Sequence, residues 1–171
     1  MLFRSIPSVN ADISGVMVTK GLTTGRDEDI TVAFNRGVGG AVDGQAAESW
    51  LLMKDGTAHL LTPARESRYQ TIPSTGGSVH RQTTFEQRIV NSVEILSLRN
   101  LAARIRLELP KAPGVTTKGP FDMELGFKDG KMWLFQVRPF VENKQAAASK
   151  YLEFITPEFD SNDKVSLDLK I

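Results

Sequence analysis

The sequence has no cysteine, which excludes disulfides and thiolate metal centres and fits a reducing compartment, so a cytoplasmic location is expected. It has almost no net charge: 21 Lys and Arg against 20 Asp and Glu leave +1. That balance gives no global electrostatic case for nucleic acid or an anionic membrane as partner. No run of about 20 apolar residues occurs, so no bilayer-spanning helix is expected. The opening MLFRSIPSVNADIS has one Arg and no continuous apolar core, and does not read as a signal peptide. Histidine is scarce: His59 sits within an apolar strand as a packing residue and His80 in a loop, which leaves a zinc site without support. Internal repeats and low-complexity tracts are missing. What remains is an ordinary globular composition, 40% hydrophobic and 24% charged over 171 residues, enough for one domain with a sizeable core.

Short apolar stretches at residues 13–19, 30–35, 49–53 and 58–61 read as strands, with Asp55-Gly56 as the turn between the last two. Residues 62–81 are rich in Pro, Gly, Ser and Arg and read as an extended excursion or loop. A helix follows. Thr84 with Gln87 has the capping-box pattern, and Leu98, Leu101, Ala102, Ile105 and Leu109 mark a buried stripe at helical spacing. Arg99, Arg104, Arg106 and Glu108 fall off that stripe and are expected in solvent. Pro110, Pro113 and Gly114 end the helix. Residues 143–154 read as a short second helix and residues 165–171, VSLDLKI, as an alternating edge strand. The fold class expected is α+β, a mainly antiparallel sheet with one long helix packed on it.

The chain is organised around residues 121–140, FDMELGFKDGKMWLFQVRPF. Two apolar strands flank Asp129-Gly130, and polar residues interrupt them at Asp122, Glu124, Gln136 and Arg138. Alternation puts Asp122 with Glu124 on one face, and Gln136 with Arg138. A two-residue turn would pair Glu124 with Phe135 and split the set. A three-residue loop at 129–131 pairs Glu124 with Gln136 and Asp122 with Arg138. The three-residue loop is the expectation, with Phe121, Met123, Leu125, Phe127, Trp133, Phe135 and Val137 together on the core face. Two carboxylates and an amide oxygen on a rigid hairpin suit a hard cation such as Mg²⁺, and a guanidinium beside them suits phosphate. The plainer alternative is a surface sheet face with one Asp122–Arg138 ion pair, worth roughly 0.2–1 kcal/mol, and composition alone favours it.

The D-x-E strand Asp122-Met123-Glu124, the turn, and then Gln136-Val137-Arg138-Pro139 resemble the end of the nucleotide-binding domain of the phosphoenolpyruvate synthase and pyruvate phosphate dikinase family. Upstream, ISGVMVT at residues 13–19 resembles that family's S-G-V-x-x-T strand. The resemblance covers most of residues 9–141. It implies an ATP-grasp fold, with residues 1–142 as a partial nucleotide-binding domain and 143–171 as a C-terminal helix and tail. It implies ATP and Mg²⁺ as cofactors, with Glu124 and Gln136 on the metal and the phosphates, and Asp122 bracing Arg138 or the metal's waters. Arg138 would be the catalytic group, neutralising charge on the transferred phosphoryl. The partners implied are an earlier half of the same domain and a separate phosphohistidine domain. The chain is therefore expected to be a fragment, inactive alone.

Gly37-Val38-Gly39-Gly40 follows a strand, where successive N–H groups can form an anion nest; a tight connection needing positive φ is the competing reading. The phosphate-loop ending Lys-Ser/Thr is missing. The family's counterpart is a G-L-G-E segment, so Gly40 stands where the resemblance implies a carboxylate, and Glu48 is the nearest acidic substitute. Arg65 and Arg68 read as surface charges, Trp50 and Trp133 as core.

Overall fold

The computed structural model describes residues 8–40, 46–142 and 154. The chain divides into two compact units, Met1–Phe140 and Val141–Ile171. The helix and edge strand expected at 143–154 and 165–171 lie almost wholly outside the described residues.

Six strands of the first unit form one sheet: β1 (Ile13–Val18), β2 (Ile30–Arg36), β3 (Glu48–Leu52), β4 (Ala58–Thr62), β7 (Phe121–Lys128) and β8 (Lys131–Pro139). Their order is β4-β3-β2-β1-β7-β8, and every neighbouring pair is antiparallel. The fold is thus α+β, and β7–β8 sits at one edge of the sheet with β1 as its inner neighbour. The strict alternation of β1, β2 and β7 buries Ile13, Met17, Val32, Phe34, Met123, Leu125 and Phe127 on one face. Helix α1 (Ser92–Glu108) covers that face with Leu98 and Ala102, both fully buried, and with Leu101 and Ile105 partly buried. Gly15 is required in β1 because a Cβ there would lie 2.1 Å from the Ala33 carbonyl oxygen.

Four expectations change. Helix α1 begins at Ser92, capped by Asn91, whose side chain accepts from the Val93 and Glu94 amides while Glu94 accepts from the Asn91 amide. Thr84 cannot start it, since Phe85 lies at φ 58° and breaks helical continuity. Residues 62–81 are more than a loop: β5 (Arg68–Thr71) and β6 (Val79–Gln82) make a separate antiparallel hairpin. Arg99 and Arg106 are not solvated. Arg99 donates to the carbonyls of Met53, Gly56 and Thr57, clamping the β3–β4 turn. Arg106 donates to those of Thr19 and Asp29. Both tie off carbonyls at strand ends that the sheet leaves unpaired. Arg104 behaves as expected, exposed and paired only with Glu108.

Candidate functional site

The β7–β8 hairpin closes on two residues. Asp129 at φ 52° and Gly130 at φ 72° are both left-handed, the conformation Asp-Gly favours in a two-residue hairpin turn. The expected three-residue loop would have needed Lys131 in the left-handed region, at a cost of about 1 kcal/mol or more for a residue with a Cβ. Asp12 reinforces the shorter turn. Its carboxylate accepts from Lys128 Nζ and from the Asp129 amide, both at 2.8 Å. Burial pushes the Asp12 carboxyl up, but the Lys128 hydrogen bond, the Asp129 amide and the Lys128 charge outweigh it and hold its pKa below the ordinary value.

The polar register nevertheless appears, by a different route. Pairing runs Lys128–Lys131, Phe127–Met132, Gly126–Trp133 and Leu125–Leu134; then a bulge leaves Phe135 without a partner, and Glu124 meets Gln136 and Asp122 meets Arg138. The bulge also changes which side chains face where. Trp133 lies opposite Gly126 and so shares the face of Glu124. A Cβ on Gly126 would lie 3.2 Å from Phe135 Cε2, which puts that ring over the same face. The expected core placement of Trp133 and Phe135 is therefore overturned: both are exposed by about 40%, and Met132 and Val137 pack against the core instead.

Three rows of side chains cross this face, read from the pairing of β2, β1, β7 and β8. They are Asn35–Ser14–Gly126–Trp133, Ala33–Val16–Glu124–Gln136 and Thr31–Val18–Asp122–Arg138. Arg138 Nε donates to Asp122 Oδ2 at 2.7 Å. That hydrogen bond, and then the Asp122 charge, raise the guanidinium's pKa above its ordinary value and keep it charged. Among the described residues no side-chain hydrogen bond occupies Glu124 or Gln136. A cavity of about 400 Å³ opens beside them, lined by Val9, Ser14, Val38, Glu124, Trp133 and Phe135 among others. Glu124 is the one acidic group in an otherwise apolar and small-residue lining.

Asn35 was not singled out by sequence reasoning. It is fully buried, and neither its Nδ2 nor its Oδ1 has a hydrogen-bond partner among the described residues, which costs free energy unless something is met there. The signal was an amide closing the apolar run ITVAFN just before the glycine-rich stretch. In that stretch Gly37 and Gly39 do take positive φ. The Gly37 and Val38 amides, however, donate to Asp12 and Gln70 carbonyls, so these two N–H groups are not free for an anion. Glu48 does not replace the carboxylate missing at Gly40. It is buried on the helix side of the sheet, where it accepts from the Trp50 indole and the Ile89 and Val90 amides at 2.8–2.9 Å. Arg65 and Arg68 flank Glu66 at a surface cleft well outside these three rows.

Among the described residues no three His, Cys, Asp or Glu side chains cluster as a metal cage. The donors available to a cation on this face are Glu124 and Gln136, since Asp122 is engaged by Arg138. That set fits Mg²⁺ held jointly with phosphate oxygens and water, its usual mode, and does not fit a cage made by protein alone.

Comparison with curated proteins gives no match. Residues 6–157 match the model of the family described as pyruvate phosphate dikinase, AMP/ATP-binding domain. That span takes in all three rows, the cavity beside them and the helix beneath, and the chain belongs to this AMP/ATP-binding family.

Proposed function

We propose that the chain is the phosphate-gripping part of a dikinase-type phosphotransferase, acting on Mg-ATP and passing a phosphoryl group to a histidine on another domain. The observation that carries this reading is the cross-strand register that sets Glu124 beside Gln136 and Arg138 beside Asp122. Glu124 and Gln136 hold Mg²⁺ through one carboxylate and one amide oxygen. The ion supplies charge neutralisation to the β- and γ-phosphates when bound. Arg138, braced by Asp122, stabilises charge on the phosphoryl oxygens in transfer. The apolar cavity beside Glu124 excludes water from that neighbourhood. One carboxylate, one amide and one guanidinium on a single sheet face do not complete a triphosphate site. The remaining phosphate ligands come from an earlier half of the nucleotide domain, and the isolated chain turns nothing over. The reading places the protein in the cytoplasm.

The test supplies that earlier half in trans and measures phosphotransfer to the phosphohistidine domain. Arg138→Ala is expected to lower the rate by roughly 10³-fold, the scale of a transition-state arginine, with the fold unchanged. Full activity in Arg138→Ala, or turnover by the isolated chain, overturns the proposal. A second reading, a non-catalytic module that keeps the fold for binding or assembly, is favoured by Gly40 and by the structural commitment of Glu48. A reconstituted pair that folds, binds nucleotide and stays inert would establish it.

A further inference from the structure

The hairpin has two ways to bring Glu124 opposite Gln136. The extra residue of β8 can sit at Phe135, with a two-residue turn, or in the turn itself as a three-residue loop. Both leave the Asp122–Arg138 and Glu124–Gln136 pairs in place. They differ in the segment between: the observed form sends Trp133 and Phe135 to the face of Glu124, and the other form would send Met132 and Leu134 there. We propose that this bulge moves along β8, and that a nucleotide in the cavity beside Glu124 holds it at Phe135. The second half of the proposal rests on the phosphotransferase reading above; the first half does not.

Several observations make the two forms close in free energy. β8 is an edge strand, so shifting residues 131–135 breaks hydrogen bonds only to β7. Trp133, Leu134 and Phe135 are exposed by 38%, 44% and 43%, so exchanging their faces forfeits little packed core. The Phe135 ring lies over Gly126 where any Cβ would crowd it, so the bulged form depends on one glycine. Against the exchange stand Lys131, whose ammonium lies 4.9 Å from the Trp133 ring centroid and which would have to become left-handed, and Asp12, which pins the turn through Lys128 and Asp129. A ligand shifts such an equilibrium only by its differential contacts. Here they are plain: the cavity lining includes Trp133 and Phe135, and a flat base gains stacking surface from aromatic rings.

The test uses Lys131→Gly, which removes the left-handed penalty at the third loop position, with Lys131→Ala as control for the lost cation–π contact. Removing that penalty shifts the balance toward the three-residue loop by roughly tenfold. Cross-strand contacts are read by NMR on the whole chain without nucleotide. Lys131→Gly is expected to show Leu125 against Phe135 in place of Leu125 against Leu134, and Lys131→Ala to keep the native pairing. Deleting Phe135 in the Lys131→Gly background removes the extra residue and is expected to restore Leu125 against Leu134. Native pairing in Lys131→Gly overturns the mobile bulge. Mg-ATP is then expected to bind Lys131→Gly several-fold more weakly than Lys131→Ala and to return the native pairing at saturation. A register that moves but ignores Mg-ATP overturns the coupling to the site.

Discussion

Glu48 provides the sharpest separation of structural from catalytic carboxylates. Its side chain is 96% buried (4% exposed) and accepts three hydrogen bonds, from Trp50 Nε1 and from the Ile89 and Val90 amides. Those amides belong to the segment that leads into α1, so one carboxylate ties β3 to the approach of the helix. Glu48→Ala strips acceptors from three donors. A buried donor left unsatisfied costs about 1–3 kcal/mol. Partial relaxation and water entry bring the total to about 3–5 kcal/mol, the range for breaking a buried charged cluster by removing one partner. Against a domain stability of roughly 5–15 kcal/mol, that is a large fraction. In urea, at a slope of about 2 kcal/mol/M, the midpoint should fall by roughly 2 M, followed by far-UV dichroism and by emission from Trp50. Glu48→Gln should lose less, because its amide oxygen still accepts from two donors at most. A Glu48→Ala protein with an unchanged midpoint but weakened Mg-ATP binding would refute the reasoning and make Glu48 the missing carboxylate of the site.

Two further outcomes follow from the same geometry. Arg106 is half-buried, burial pushes its pKa below the ordinary value, and it donates to the Thr19 and Asp29 carbonyls. Arg106→Ala should therefore cost about 1–3 kcal/mol by leaving two strand-end carbonyls unpaired, read as a lower urea midpoint, and an unchanged midpoint would return Arg106 to the solvent. Asp12 has a folded pKa below its ordinary value of 3.8, so its contribution is fully present above that value and is lost as pH falls through the depressed one. Asp12→Asn should flatten the acid limb of the stability-versus-pH curve below pH 4, and a limb as steep as the wild type's would show that Lys128 and Asp129 do not grip it.

Much of the sheet was legible because its strands obey one rule. β1, β2 and β7 alternate buried and partly buried positions, and a period of two is visible without knowing the partner strand. The stripe Leu98, Leu101, Ala102, Ile105 was legible for the same reason at the helical period. The helix start was not, because two capping patterns compete within eight residues, and Phe85's left-handed backbone, which eliminates the first, leaves no mark in residue type. Arg99 and Arg106 were misread because their partners are carbonyls 42–46 and 77–87 residues away. A backbone acceptor has no signature in sequence, whereas a carboxylate partner does. The β5–β6 hairpin was hidden by composition: Arg, Gln and His strands without an apolar face look like loop until Gly37 and Val38 dock against them, where a Cβ at Gly37 would meet the Gln70 carbonyl oxygen at 2.0 Å.

The site hairpin shows where sequence reasoning stops and why. In a regular antiparallel pair the two residue numbers have a constant sum. Closure at Lys128–Lys131 gives 259, whereas Glu124–Gln136 gives 260. That parity mismatch means one surplus residue must lie somewhere on β8 if the four polar side chains are to meet, and this much is readable from the sequence. Its position is not, since loop and strand both satisfy the count. The choice falls to small local terms: two left-handed residues that suit Asp-Gly, a Lys that resists the same conformation, a glycine opposite the bulge and one aspartate on the turn. Each is worth about 1 kcal/mol or so, none dominates, and together they decide which rings stand beside Glu124. The phosphate-facing pairs are insensitive to that decision, while the lining of the cavity depends on it entirely. Substitutions at 126, 131 and 135 should accordingly alter what the cavity accepts while sparing the Asp122–Arg138 and Glu124–Gln136 pairs, and loss of those pairs in Lys131→Gly would show that the two halves of the hairpin are not separable.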